Sequence, residues 1–201
     1  VDALIGGNRK LVGDLSLDFA VGASLLKRQF EAVSTGGGPF VLPYLYSPSN
    51  VLNFNRGYDF NKSEVHSAYY TMDFSYKNFL TIGTTGRYDA YSTLPSGNNT
   101  IFVPSVTASF IFSELVKINA ISFGKLRVSY AQTSNELVDA YQTQLYYSLG
   151  NAYNGIPVGS SPTNLPSGLL KPFTTTELEI GTDLKMFGNR LSIDLAYYTK
   201  K

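Results

Sequence analysis

The sequence predicts an all-β fold, a portion of an antiparallel transmembrane β-barrel. Three observations predict it. Apolar residues recur at every second position, as in the closing stretch "TTTELEIGTDLKMFGNRLSIDLAYYTKK" (174–201), a spacing that lines one face of a strand and would scatter around a helix. Most of these runs reach about nine to eleven residues, the length of a tilted membrane strand, where ordinary strands average about five or six. The face opposite the apolar one is mostly Ser, Thr, Gly and Asp with isolated charges, which suits a crowded, hydrated lumen better than the Lys- and Glu-rich surface of a sandwich.

The elements follow in order. From Leu11 to Leu26, the residues Leu15, Leu17, Phe19, Val21, Ala23 and Leu25 share one face, and Asp14, Ser16, Asp18, Ala20, Gly22 and Ser24 the other. A second run begins near His66, with Ala68, Tyr70, Met72, Phe74 and Tyr76 opposite Ser67, Thr71, Asp73 and Ser75. Lys77-Asn78 is a tight turn, and the return run sets Leu80, Ile82, Tyr88 and Ala90 against Thr81, Gly83, Thr85, Arg87 and Asp89, which makes a hairpin. After Pro95 and "SGNN" (96–99), Phe102, Val106, Ala108, Phe110 and Phe112 alternate with Ser105, Thr107, Ser109 and Ser113. "ELVKINAIS" (114–122) is a connection with room for one helical turn, before Leu126, Val128 and Tyr130 oppose Lys125, Arg127, Ser129 and Ala131. A Tyr-, Asn-, Gly- and Pro-rich stretch over 134–173 precedes the closing hairpin, whose turn is Phe187-Gly188-Asn189.

This reading contains about seven strands, with long connections (28–65, 134–173) and short ones (77–78, 187–189) largely alternating, as where long loops lie outside an outer membrane and short turns inside. Aromatics near strand ends fit the girdles of such a barrel: Tyr69, Tyr70, Tyr76, Phe79, Tyr88, Tyr91, Phe102, Phe112, Tyr130, Phe187, Tyr197 and Tyr198. The competing explanation is the general preference of Tyr and Phe for strands. An odd number of strands does not close a bacterial barrel, and open edges are untenable in lipid. The chain is therefore expected to be part of a larger barrel, with 1–201 belonging to a single barrel domain.

Composition fits this class and excludes others. Of 201 residues, 15% are charged, against about 25% in an ordinary soluble domain. The net charge of +1 gives no electrostatic footprint for nucleic acid. The absence of Cys removes disulfides and thiolate metal sites. No apolar run is long enough for a membrane helix, and a mean hydropathy of −0.05 is compatible with a barrel, whose alternating signal is weak.

Three stretches resemble the SusC/RagA-like TonB-dependent transporters of the Bacteroidota outer membrane. "YKNFLTIGTTGRYDAYSTLP" (76–95) with "FVPSVTASFIFSEL" (102–115) is similar to the family's strand, Arg-x-Asp pair, Ser/Thr-Leu-Pro loop and "YPSVS" sequence. Ala90 and Tyr91 stand where the family has Trp and Ser. "GKLRVSYAQTSN" (124–135) resembles "KLRASYGxTGN", with Ser134 in place of Gly. "LKPFTTTELEIGTDLKMFGNRLSIDLAYYTK" (170–200) resembles "LKPExTxxxEIGxDxxFxxNRLxxDxxYY", with Phe173 replacing an acid. The resemblance implies a 22-stranded barrel around a plug, with the plug and N-terminal domains outside this chain. It also implies a SusD-like lipoprotein lid, TonB acting through the plug, and active uptake of glycans or peptides. Alternatives are a passive porin or other outer-membrane barrel, and a soluble carbohydrate-binding β-sandwich.

Candidate sites follow from the faces. Arg87 and Asp89 share one face, as do Glu177, Glu179, Asp183 and Lys185, and Arg127 lies on the polar face of its own run. These are expected to point into the lumen, as a charge network that stiffens the wall or as plug contacts, because charge facing lipid is costly. Tyr141, Tyr146, Tyr147 and Tyr153 in the 134–173 stretch are candidates for ligand or lid contact, since aromatic loops on a rigid scaffold commonly carry recognition. His66, the only His, reads as a residue at the membrane interface. "STGGGPF" (34–40) lacks the Lys-Ser/Thr of a phosphate-binding loop and reads as a flexible outer loop. No catalytic triad or metal-ligand spacing is present and no cofactor is implied.

Overall fold

The computed structural model describes residues 1–136, 138–150, 153–163 and 165–201. Strands β1 (Asp2–Lys10), β2 (Leu15–Gly36), β3 (Asn55–Tyr76), β4 (Leu80–Tyr91), β5 (Thr100–Phe110), β6 (Ile121–Asn135), β7 (Ser148–Leu149), β8 (Gly159–Ser160), β9 (Phe173–Met186) and β10 (Leu191–Lys200) follow one another. Eight of them form one antiparallel sheet in the order β1-β2-β3-β4-β5-β6-β9-β10, while β7 and β8 pair only with each other in the β6–β9 loop.

Two features differ from the sequence expectation. The large sheet has eight strands rather than seven, because β1 precedes the Leu11–Leu26 run. The long connection placed at 28–65 shrinks to 37–54, because β2 and β3 each run 22 residues and stay in register from Leu15 opposite Tyr76 to Gly36 opposite Asn55. The loop between them is not a free tether either. Buried Asn50 donates from Nδ2 to the carbonyls of Leu42 (2.8 Å) and Leu45 (2.7 Å) and accepts from the Leu42 amide, closing the loop on itself. Between β5 and β6, the helical turn is a 3₁₀ segment at Phe112–Glu114.

Residues directly opposite in an antiparallel ladder share a face, so the register sorts every side chain. Leu17, Phe74 and Ile82 fall in one row, and Val21 with Tyr70 in another. Val128 opposes Ile180, which opposes Tyr197. This apolar face is uncovered: Val21 is 43% exposed, Ile82 43%, Val128 44% and Leu195 61%. Among the described residues no second sheet or helix layer packs on it, which removes the sandwich alternative. Among the described residues the buried apolar cluster is small: Val65, Tyr91 and Leu94, with Ile101, Val138 and Leu170 against it, where β4 runs into the loop that follows it.

The apolar face has a definite height. From Leu15 to Leu25 it is continuous, and at Lys27 and Glu64 it gives way to charge. Ten residue steps span about 33 Å along a strand, or about 25 Å along a barrel axis at a tilt near 40°, the height of a barrel's lipid band. Above it both faces of the β2–β3 ribbon carry charge, with Lys27 bound to Glu64 at 3.2 Å and Tyr58 donating to Glu31 at 3.0 Å on one face, and Arg28 bound to Glu136 at 2.9 Å on the other. At the opposite end, Phe79 meets Tyr76 (5.6 Å between ring centroids) and Phe110 (6.1 Å) edge-on, a small aromatic belt beside the short turns. Tyr69, Tyr91 and Tyr198 do not belong to a girdle. They lie on the polar face, because they oppose Gly22, Val65 and Glu179.

Candidate functional site

The polar face of the sheet carries the chemistry. In the β9–β10 hairpin the register sets Asp183 directly opposite Asp194. Two carboxylates so placed repel, and the cation that resolves them comes from β6. Arg127 Nη1 donates to Asp183, Nη2 to Asp194 Oδ1 (2.8 Å) and Nε to Glu179 Oε1 (3.2 Å), while Lys125 Nζ approaches Asp183 Oδ2 at 3.4 Å. Arg127 reaches Asp194 by lying across β9, and what it lies across is Gly181. A β-carbon there would sit 2.6 Å from Arg127 Nε and 2.8 Å from its Cζ.

The same device recurs on β1–β3. Tyr69 lies over Gly22, where a β-carbon would meet its hydroxyl at 2.6 Å, and donates to Asp2 Oδ1 on the strand beyond (2.8 Å). Between these two sites, Arg87 Nε donates to Asp89 Oδ1 (2.6 Å) and Nη2 to Ser67 Oγ (2.8 Å). Asp89 is 5% exposed, so this pair is partly shielded from water on the acid side.

At the loop end of the sheet, Glu136 starts the β6–β9 loop and accepts from Arg28 Nη1 (2.9 Å) and Thr93 Oγ1 (2.7 Å). Tyr91 and Ser134 hydroxyls bond at 2.9 Å nearby. The far end of the loop is tied by Asn98 Nδ2, which donates to the Gly168 carbonyl at 3.2 Å. Above the lipid band, the Lys27 ammonium beside Glu64, with Lys62 and His66 acting in the same direction, holds its carboxyl below the usual carboxylate range. The hydrogen bond to Glu31 raises the Tyr58 phenol.

The structure thus brings Arg127, Glu179 and Asp183 into one cluster and Arg87 and Asp89 into another. Glu177 lies on the same face, opposite Lys200 and Ala131, outside any ion pair among the described residues. Tyr141, Tyr146, Tyr147 and Tyr153 are exposed, at 46%, 57%, 69% and 73%, and only Tyr146 lines the open cavity of about 510 Å³ between Gln142 and Pro166. Sequence reading missed Asp194, Ser67, Arg28 and Glu136 as partners. Asp194 lies opposite Asp183 because the turn spans 187–190, one residue longer than the 187–189 read from sequence, which would have set it opposite Thr182. The Arg28–Glu136 contact joins residues 108 apart, and no local pattern announces it.

Comparison with known proteins places this geometry. Residues 4–201 match the family described as TonB dependent receptor-like, beta-barrel. TonB-dependent receptor P26 of Formosa agariphila is 31% identical over 71% of this chain and 15% of its own length. TonB-dependent receptor P3 of the same organism is 26% identical over 96% of this chain and 20% of its own. In fold, the chain superposes with a TM-score of 0.84 on a chain of the RagAB peptide importer in its closed-closed state, at 18% identity, covering 99% of this chain and 23% of that one. With the open-open state of the same importer the TM-score is 0.81. The chain spans about a fifth of the length of these relatives. A sheet with one greasy, uncovered face, one charged face and chain-long agreement with that family is a stretch of barrel wall: the chain belongs to the TonB-dependent receptor β-barrel family.

Proposed function

We propose that this chain is wall from the barrel of an outer-membrane importer of the SusC/RagA type, driven by TonB through a plug that lies elsewhere in the full protein. The observation that carries the reading is the division of the sheet into a lipid-high apolar face and an opposite face of internally paired charges, within a family of TonB-dependent receptors. Loops 37–54, 92–99 and 136–172 then face outward, and the turns near 11–14, 77–79 and 187–190 face the periplasm.

In this reading the wall does no covalent chemistry. Arg127 with Glu179, Asp183 and Asp194, and Arg87 with Asp89 and Ser67, spend their charges on one another and stiffen the lumen. Glu177 remains available to a plug. The exposed tyrosines of the 136–172 loop meet the cargo or a SusD-like lipoprotein lid. Glycans and peptides are both candidate cargo, and the fold likeness to a peptide importer favours peptides only as a starting point for tests.

The test is uptake of labelled oligopeptides and oligosaccharides by cells carrying the full-length gene, with and without tonB. Accumulation that disappears with tonB is expected. Uptake indifferent to tonB would replace the importer with a passive pore, and a protein extracted without detergent would remove it from the membrane.

A further inference from the structure

The β7–β8 finger stops for a reason that its register shows. Gly150 donates to the Val158 carbonyl at 2.7 Å, and Ser148 and Leu149 lie opposite Ser160 and Gly159. Bonded pairs recur at every second residue of an antiparallel ladder, so after 150 with 158 and 148 with 160 the next would join Tyr146 to residue 162. Residue 162 is proline, which has no amide to give. The two legs of the finger part at that point. Among the described residues, no backbone hydrogen bond is made by Leu145, Tyr146 and Tyr147 on one leg or by Ser161, Pro162 and Thr163 on the other. Between the legs lies the open cavity of about 510 Å³, with Gln144, Tyr146 and Ser148 on one side and Ser161, Pro162 and Leu165 on the other. From Ala140 to Leu170 the sequence has no charged side chain, so nothing in this part of the loop selects the charge of what the cavity holds.

We propose that an extended segment of peptide cargo enters between these legs as a third strand, held through its main chain and without regard to the charge of its side chains. The unpaired amides and carbonyls of residues 145–147 form a short ladder edge, the feature to which an extended peptide adds. At strand spacings of about 3.3 Å along the chain, 4.8 Å across and 10 Å between faces, one residue fills about 160 Å³, so the cavity takes about three residues. A sugar has no row of alternating donors and acceptors at strand spacing and would leave this edge unpaired. The inference rests on the importer reading above and names main-chain recognition of peptides as the way its outer loop holds cargo.

The test is calorimetric titration of the full-length receptor, purified in mild detergent with its native partners retained. The probes are a capped pentapeptide of alternating Ala and Val, its analogues with one Lys or one Glu, its analogue methylated at the central amide nitrogen, and maltopentaose. The three unmethylated peptides are expected to bind with affinities within about threefold of one another, and the methylated one about tenfold more weakly, since it lacks a ladder donor. Pro162→Ala supplies the missing amide, lets the legs close on each other, and is expected to weaken the parent peptide by about the same factor. The methylated peptide is compared on the unaltered receptor, so it decides the matter even if the variant does not fold. Equal binding of the methylated and parent peptides, a strong preference for one charge, parent binding untouched in folded Pro162→Ala, or binding of maltopentaose in place of peptides would each overturn the proposal. Main-chain binding of this kind beside uptake indifferent to tonB would sink the importer reading alone, whereas tonB-dependent uptake without peptide binding would sink this one alone.

Discussion

Arg127 can join three acids on two strands only because position 181 has no side chain. Gly181→Leu should push the guanidinium off β9 and separate it from Asp194, lowering the temperature at which the folded barrel unfolds in detergent. Arg127→Leu should lower it by a similar route. Combined, the two should cost little more than the worse of them, since they break the same contacts. Simple addition of the two shifts would show that Gly181 matters for some reason other than making room. Arg87→Gln strands the shielded carboxylate of Asp89 and should cost about 2 kcal/mol in urea titration. The Arg87–Asp89 pair was legible from sequence because residues two apart on a strand share a face. Asp194 was harder, since its partner sits two strands away and the contact depends on a glycine between them.

At the scale of single strands, alternation was legible wherever lipid demanded it and faded wherever it did not. In β1, Leu4 and Gly6 fall on the polar face and Gly7 and Arg9 on the other, so the pattern is too mixed to stand out. In the upper halves of β2 and β3, Lys27, Glu31, Lys62 and Glu64 occupy positions that continue the apolar face. Both sides are wet there, no face has to be apolar, and the period of two carries no information. The same logic sets a prediction. Leu178→Arg and Leu195→Arg place a charge toward hydrocarbon and should each cost about 2–4 kcal/mol near the midplane, with most of the protein failing to fold into vesicles. Ser109→Arg, on the polar face opposite Arg127 and Thr81, should fold far better. Equal folding yields for the three would refute the assignment of faces.

At the scale of the molecule, the 136–172 loop is moored at both ends: Glu136 to Arg28 and Thr93, and Gly168 to Asn98, with Val138 and Leu170 on the Val65–Tyr91–Leu94 cluster. The Glu136 side chain is 9% exposed, so Glu136→Ala leaves Arg28 and Thr93 without their acceptor. Amide exchange in residues 138–148 should then speed up about tenfold while the β4–β5 ladder keeps its protection. Unchanged exchange would mean that the apolar cluster alone holds the loop. None of this mooring shows in the sequence, because it joins segments far apart in the chain.

In the large sheet every strand lies beside its predecessor in sequence, the β7–β8 finger set aside. Such a wall needs no threading. Each hairpin, as it enters the bilayer, offers its free rim as the template for the next, so assembly can run as a zip from one end, with never more than two open seams to be shielded from the lipid.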